Sequence, residues 1–486
     1  MAISSGLFTL PMQSSGSYGT HRKHTRSSAG PTNSNSQVQR PRVSTEVIRR
    51  QTGTAAARDE QSNKDQIRRV LAYYAHAIVT FHTFGIPLSA GLMLEYYYNS
   101  LLLTTPLSQL SLIVGIQWLG IFALESLAGC AYRWKHWRWI YLAASLVLVL
   151  CHVVIARGAK PWGLSLGMHA LTGLCLGFLR SMTLGCLASH YNGNAAEVST
   201  QSGAAALLGA LVHSLVAWAF LRIDNYKGLA WAQFYIVLFT LAPTLACLFP
   251  AREPESTEHD ASKHDRQIPR LMHRKSTKAI QSLPGKFDVQ RNFGLDIIGD
   301  CLLIAGLFLV FAYMAVWPIA FPLLLSCRPL YEFPDFAAYW LMGTFGAGAL
   351  TAAFFARPWP RRALGVVNTF TAAAIFAGSL LIITAWVVNF WVWGIIGVLY
   401  GLCLGPLLAL HRKVFDLICK YWTNMRLFPD GLGIVAFGGI SVVGLLIENL
   451  GNGSVALTVS GVVMLLGGCC MAVGRWLKYP TKYVVI

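Results

Sequence analysis

Charged residues are scarce in this sequence. Only 12% of the 486 residues are Asp, Glu, Lys or Arg, whereas 55% are hydrophobic. A soluble globular domain typically carries about 25% charged residues. A soluble fold of this length could not solvate its surface with so little charge. The composition therefore excludes an ordinary soluble protein and indicates that lipid is the solvent for most of the chain.

Patterns typical of enzymes and metal sites are also missing. The eleven cysteines form no CxxC pair and no zinc-type spacing, and most lie in apolar runs, where Cys behaves as a small hydrophobic residue. The sequence has no histidine cluster like that of membrane desaturases and no glycine-rich phosphate loop. We therefore expect no cofactor, no metal and no enzymatic activity, and ATP-driven transport is excluded for this chain alone.

Long apolar runs dominate the rest of the chain. From Tyr73 onward they recur at lengths of about twenty residues, enough for a helix to cross the ~30 Å hydrocarbon core of a bilayer. The pattern predicts an all-α membrane protein with twelve transmembrane helices in two six-helix bundles. The predicted helices cover residues 73–94, 107–130, 139–156, 164–188, 197–220, 230–249, 295–317, 336–355, 363–386, 390–410, 428–447 and 455–476.

Polar segments divide these helices into two sets. Residues 1–69 are rich in Ser, Thr, Gln, Asn, Gly and Arg, without a long apolar run, so we predict a disordered cytosolic tail. The absence of acids from its first forty-five residues leaves a transit peptide as the alternative. We expect the N-terminal six-helix bundle at 70–249, a charged cytosolic loop at 250–291 and the C-terminal six-helix bundle at 292–486.

The basic residues predict the orientation. Among the short segments, 13 Lys and Arg fall on the side that holds both predicted termini and 5 on the opposite side. Because Lys and Arg concentrate in cytosolic loops, both termini are expected in the cytosol. The net charge of +18 then needs no nucleic-acid partner. Asn452 begins the sequon Asn-Gly-Ser in a predicted lumenal or extracellular loop, which makes it a candidate glycosylation site.

Charged residues within the predicted helices are candidates for function. An intramembrane Arg costs about 2.5–3.5 kcal/mol on insertion scales, so Arg180 should face a polar interior with a partner. We expect it either to contact a substrate or counter-ion, or to form a snorkelling or interhelical salt bridge near the cytosolic leaflet. Glu125 is predicted to form a gate or an interhelical ion pair. Asp296 and Asp300 share one helix face and are either coupling acids or structural partners of basic residues.

Histidine and glycine supply weaker signals. The histidines in the helices have no ligand spacing, and we expect hydrogen-bonded interior residues, with His82 and His169 as candidates for substrate binding or proton coupling. Glycines at helix faces predict close helix packing. Gly405–Pro406 is predicted to break its helix.

The six-plus-six layout with a charged central loop resembles the major facilitator superfamily. Within it, residues 82–87 (HTFGIP), 94–97 (LEYY) and 105–108 (TPLS) resemble the end of helix 1 and the start of helix 2 in fungal monocarboxylate-porter-like proteins. Ser189-His190-Tyr191, with Gly203 downstream, resembles the helix 4–5 turn of the same group. The resemblance covers about residues 73–485 in layout.

The sequence departs from this pattern at charged positions. In the helix 2–3 turn, Gly129 and Arg138 fit the superfamily's motif, but Arg133 stands where an aspartate is expected, and Glu125 lies a turn upstream as a replacement acid. Gly129, Arg138 and Glu125 are therefore the gate or turn candidates. Leu88 replaces the lysine of proton-coupled monocarboxylate carriers, and the eighth predicted helix lacks their charged pair.

The resemblance implies a secondary transporter that moves a small organic molecule across a membrane by alternating access. Because the carboxylate-binding charges are missing, we expect efflux of a secondary metabolite. Uptake of a small organic anion or monocarboxylate, with Arg180 as counter-charge, and a non-transporting membrane sensor are the alternatives. The expected partners are a small-molecule substrate, the lipid bilayer and a coupling proton. The expected location is the plasma membrane, with a vacuolar or other organelle membrane as the alternative.

Overall fold

Among the residues that the structure describes, twelve helices are long and apolar enough to cross a membrane, and they coincide with the twelve predicted runs. The structure is a computed structural model, and it describes residues 45–132, 134, 136–158, 161–191, 195–248, 293–326, 335–387, 389–419, 428–451 and 453–478. The predicted central loop at 250–291 and the sequon at Asn452 lie outside these residues. All contacts described below fall within the compact unit Gln61–Ile486.

The membrane helices are numbered α1 to α12 in chain order, and the first half consists of α1 to α6. Two of its helices are irregular: α1 ends in a π-helical turn, and α2 is interrupted at Leu124. The bounds are α1 Thr45–Tyr96 with the turn Tyr97–Leu101, α2 Leu107–Ala123 and Glu125–Ala131, α3 Trp137–Gly158, α4 Trp162–His190, α5 Ala195–Leu221 and α6 Tyr226–Leu248.

The second half consists of α7 to α12. Here α7 is interrupted before Val316, and a short helix, Pro358–Leu364, connects α8 to α9. The bounds are α7 Phe293–Tyr313 and Val316–Ser326, α8 Asp335–Ala356, α9 Val366–Trp386, α10 Phe390–Cys419, α11 Phe428–Leu450 and α12 Gly453–Lys478.

Helical structure begins earlier than the composition predicted. Residues 45–69 were expected to be disordered, yet they belong to α1. This stretch is rich in Ala, Arg, Gln and Glu, which are good helix formers. Asp65 also accepts hydrogen bonds from Gln61 and Arg68, one turn before and after it on the helix surface. A polar composition is therefore compatible with a helix as well as with disorder.

The break predicted at Gly405–Pro406 is wrong, because α10 runs without interruption from Phe390 to Cys419. The neighbouring α8 packs tightly along this stretch. A Cβ atom on Gly405 would collide with the Gly348 carbonyl oxygen and the Thr351 hydroxyl. Close support by a neighbouring helix is what allows Pro within a membrane helix.

The two halves meet along a seam in which α2 packs against α11 and α5 against α8. Glycine makes the approach close at several points. A Cβ on Gly433 of α11 would lie 2.9 Å from the carbonyl oxygen of Leu119 on α2, and one on Gly203 of α5 would lie 2.7 Å from the Cα of Ala409 on α10. Contacts this close leave little space for water between the halves.

Candidate functional site

A buried carboxylate joins the two halves at one end of the seam. Glu125 is the first residue of the second piece of α2 and is 8% exposed. One of its oxygens forms an ion pair with Arg412 of α10, and the other lies 3.6 Å from Nη1 of Arg180 on α4. Arg412 is also 3.4 Å from Asp416. We call Glu125, Arg180, Arg412 and Asp416 the charged cluster, and the end of the seam that holds it the charged end.

Arg180 is the most buried member of the charged cluster, at 2% exposure. Its Nη2 lies 3.4 Å from Nε2 of His411. Nδ1 of His411 is 2.7 Å from the Leu408 carbonyl oxygen and donates to it, so Nε2 accepts from Arg180. The guanidinium also lies over the rings of Phe84 and Phe122, 5.0 and 5.5 Å from their centroids. The geometry gives Arg180 an interhelical salt bridge.

Aromatic rings fill the seam beside the charged cluster. Phe84 and Phe122 come from the first half and Phe311 from the second, and the rings of Phe122 and Phe311 meet at 5.1 Å. Trp118 packs against both Phe84 and Phe311. The indole N–H of Trp118 is fully buried and forms no hydrogen bond within the described part of the chain. The rings therefore form a largely apolar layer between the halves, with a guanidinium at its edge.

The opposite end of the seam is closed by apolar side chains, and we call it the apolar end. Only a shallow, nearly filled cleft is present there. One polar contact crosses the seam nearby: the Ser108 backbone N–H donates to Oε2 of Glu448 over 2.7 Å. The cleft is lined by Leu94, Leu107, Ser111, Val316, Ile319, Ala320, Leu323, Ile440, Val443, Gly444 and Ile447.

The two histidine candidates lie within the first half. His82 contacts His213 and Thr240. His169 accepts a hydrogen bond of 2.7 Å from Gln117 and lies 3.3 Å from the Tyr97 hydroxyl. Sequence spacing could not reveal the His82–His213 contact, because 131 residues separate the two positions.

The remaining candidates lie away from the charged cluster or outside the described side chains. Asp300 on α7 pairs with Lys478 on α12, within the second half. Asp296 lies on α7, but its side chain is outside the described part. Arg138 packs over the ring of Trp137, 5.4 Å from its centroid. Gly129 is exposed, and a Cβ built on it would meet nothing within 4 Å.

Sequence reasoning missed His411 and Arg412. The tenth helix was predicted to end at residue 410, so Arg412 was counted as a loop cation. In the structure α10 continues to Cys419, which places both residues inside the helix and against Arg180 and Glu125. The signal that could have found them is the helical spacing of Arg412 and Asp416, an opposite-charge pair four residues apart.

Comparison with known proteins identifies the fold. No protein-family model and no curated protein matches the sequence. Three solved structures match with TM-scores of 0.54 to 0.56: the xylose transporter XylE from E. coli in a partially occluded inward-open conformation, the human organic anion transporter MFSD10 (TETRAN) and a mutant of the nucleoside transporter NupG.

Coverage is nearly complete in all three comparisons. XylE is 13% identical, with 86% of this chain and 100% of that chain covered. For MFSD10 the values are 13%, 84% and 99%, and for NupG they are 12%, 85% and 100%. The chain thus has the major facilitator superfamily fold. All three of these proteins are transporters.

Proposed function

We propose that the chain is a secondary transporter that moves a small organic molecule by alternating access. The observation that carries this proposal is the ion pair between Glu125 and Arg412, which joins the halves at one end of the seam, while apolar contacts close the other end. Alternating access requires two closures that open in turn about a central site. Two closures of different chemistry can be opened independently.

The charged cluster suits a gate because its charges balance, with Glu125 and Arg180 buried at its centre and Asp416 exposed at its edge. Two arginines face two carboxylates, and Glu125 serves both arginines. Removing one partner from a buried ion pair costs about 3–5 kcal/mol, because the remaining charge is left buried without a partner. Opening requires that water or substrate replace the lost contacts. We propose that the charged end faces the cytosol, as the distribution of Lys and Arg predicts.

For the cargo and direction, we propose efflux of a small, fairly apolar organic molecule, such as a secondary metabolite, through the plasma membrane. The rings of Phe84, Trp118, Phe122 and Phe311 support an apolar cargo, since they line the seam where a central site would open. The likeness to fungal monocarboxylate-porter-like proteins, without their carboxylate-binding charges, supports the same class.

Uptake of a small organic anion is the second candidate, and one observation favours it. Nη1 of the buried Arg180 forms no hydrogen bond within the described residues, and its 3.6 Å separation from Glu125 is an ion-pair distance. A substrate carboxylate could accept that N–H and compete with Glu125. One of the solved structures of the same fold is an organic anion transporter.

Flux through proteoliposomes tests the proposal. The purified full chain would be reconstituted and assayed with two panels, neutral aromatic compounds and aromatic carboxylates of similar size. Uptake or exchange of a labelled compound, abolished by Glu125→Gln but retained by the surface variant Asp65→Asn, is the expected result. Flux of carboxylates alone would favour the second candidate. Binding without flux would contradict transport and indicate a sensor.

A further inference from the structure

Two buried histidines from distant parts of the chain meet inside the first half. His82 on α1 and His213 on α5 are both completely buried, and Nδ1 of His82 lies 3.3 Å from Nε2 of His213. Nε2 of His82 contacts Oγ1 of Thr240 on α6. We call His82 and His213 the histidine pair. It connects three helices of the first half and takes no part in the charged cluster.

Close helix packing holds the pair together. A Cβ on Gly85 of α1 would lie 2.6 Å from the carbonyl carbon of Gly209 on α5, one turn from each histidine. The Phe81 ring packs against both imidazoles, with centroid distances of 5.1 and 5.7 Å. The spacing of α1 and α5 is therefore set by glycine, and it brings the two rings within hydrogen-bonding distance.

The hydrogen-bond directions give the positions of the protons. The Thr240 hydroxyl donates to the Ile236 carbonyl oxygen over 2.5 Å, so its oxygen accepts the Nε2–H of His82. A neutral imidazole carries a single N–H. Nδ1 of His82 is then an acceptor, and His213 donates its own Nε2–H. Nδ1 of His213 is left with a lone pair, and it forms no hydrogen bond within the described part of the chain.

The groups around the pair limit the charge that it can hold. His152 on α3 interacts electrostatically with both histidines. On α4 the titratable groups are His169, Cys175, Arg180, Cys186 and the terminal His190, and α6 has the single charged residue Lys227 near its start. The membrane spans Ser199–Leu221 of α5 and Ala338–Ala356 of α8 carry no charged residue, and the acids Glu197 and Asp335 stand before these spans. Within these spans all of the groups are neutral or cationic. A second proton on the pair would meet repulsion, so the pair can hold at most one.

On α1 itself, the nearest titratable groups point away from the pair. His76 lies toward the charged end, where its Nδ1 is 3.0 Å from the Thr183 hydroxyl. Glu95 lies thirteen residues after His82, about 20 Å along the helix. Neither residue therefore places a carboxylate beside the pair, where it could neutralise the added charge.

We propose that the histidine pair binds the coupling proton of transport, an inference that rests on the proposed transport function. A proton binds to Nδ1 of His213. As its Nε2–H bond breaks, an N–H bond forms at Nδ1 of His82, and the positive charge moves from α5 to α1; release reverses these steps. The neutral pair suits the closed structure. The charged pair, without an acid beside it, is stabilised when water reaches it between α1, α5 and α6, so protonation favours a rearrangement of these helices within the first half.

Proton binding can be measured without a known substrate. The full chain, labelled with ¹⁵N-histidine and reconstituted in bilayers, would be titrated from pH 8 to pH 5 while the imidazole nitrogen signals are recorded. We expect two coupled histidines that take up one proton between them. His82→Gln and His213→Gln should each remove this coupled titration, whereas the matched variant His76→Gln, a buried histidine of α1 whose Nδ1 lies 3.0 Å from the Thr183 hydroxyl, should retain it.

Transport assays supply the second arm. With any compound that the proteoliposome panels identify, one pH unit across the membrane should drive about a tenfold accumulation of a neutral substrate if one proton moves per cycle. His213→Gln should lose this accumulation and keep the exchange of labelled substrate. A pair that stays neutral to pH 5, or variants that still accumulate substrate, would overturn the proposal. If no compound is transported, the proposed function fails, and the titration still decides whether the pair binds a proton.

Discussion

The two ends of the seam are closed by different chemistry. At the charged end, Glu125 of the first half is shared between Arg180 of its own half and Arg412 of the other. At the apolar end, aliphatic side chains meet around a small cleft, and a single described hydrogen bond, from Ser108 to Glu448, crosses nearby. An ion pair is either formed or broken, whereas an apolar contact weakens in proportion to the area exposed.

The difference implies two kinds of control. A closure made of charges responds to protons, salt and anionic ligands, because each changes the balance of a few groups. A closure made of aliphatic side chains responds to shape, because small changes in volume are felt in a packed interior. Mutations at the two ends should therefore produce different signatures, and their ranking tests the comparison.

The largest loss of stability is expected from Glu125→Gln. This substitution leaves two arginines without their shared carboxylate, and Arg180 is 2% exposed. Removal of one partner from a buried pair costs about 3–5 kcal/mol. Thermal unfolding of the purified protein should show a marked loss of stability. The double variant Glu125→Gln with Arg180→Met should recover part of it, since the uncompensated buried charge is then removed. No recovery would mean that Glu125 acts through something other than these charges.

A smaller loss of stability is expected from Arg412→Gln. Arg412 is 24% exposed, and Glu125 keeps its second partner, Arg180, when Arg412 is neutralised. Partly exposed ion pairs contribute less, because water already screens them. A double-mutant cycle with Glu125→Gln should give a coupling free energy of about 0.5–3 kcal/mol. Independent, additive effects would contradict a direct pair across the seam.

The sequence predicted the scaffold far better than the cluster. Runs of about twenty apolar residues are a local property, and for that reason all twelve helices could be located. Arg180 and Glu125 could be recognised as costly residues that need partners, because a charge in an apolar helix is visible in one dimension. Their partner on α10 could not be found, since it lies 287 residues from Glu125 and its helix end was placed too early.

The histidines illustrate the same limit. Each of them lies alone in an apolar run, and only the packing of α1 against α5 brings His82 to His213. That packing depends on Gly85 and Gly209, which the sequence marks only as small residues. Contacts between helices follow from how their surfaces match in three dimensions, and one sequence holds no direct record of that match.

At the apolar end, Gly91→Ala should have an intermediate to small effect on the stability of the closed seam. A Cβ on Gly91 of α1 would collide with the Pro318 carbonyl oxygen and lie 3.0 Å from the Cα of Ile319 on α7. Overpacking of this kind costs about 1–3 kcal/mol, but separation of the halves relieves it. A cysteine placed at Ser111, in the cleft, should react more with a membrane-impermeant maleimide when Gly91 is replaced by Ala than when Gly91 is kept. The exposed native cysteines Cys130, Cys301 and Cys469 would first be replaced.

The matched control for this variant is Gly85→Ala. Its new Cβ would lie 2.6 Å from Gly209, so the clash falls inside the first half. Opening of the seam cannot relieve it. Gly85→Ala should therefore lower the unfolding temperature without raising the labelling at Ser111. Equal labelling in both variants would show that the cleft responds to general loosening rather than to separation of the halves.

The smallest effect is expected from Glu448→Gln. The Glu448 side chain is exposed and accepts a single hydrogen bond of 2.7 Å from the Ser108 backbone. A glutamine oxygen can accept the same hydrogen bond, and exposed charge–dipole contacts are weak and screened by salt, so stability should change by less than about 0.5 kcal/mol. Unfolding curves in low salt and in 1 M NaCl would measure the difference between wild type and variant. A loss as large as that of Glu125→Gln would mean that the apolar end is also held by charge, and the contrast between the two ends would disappear.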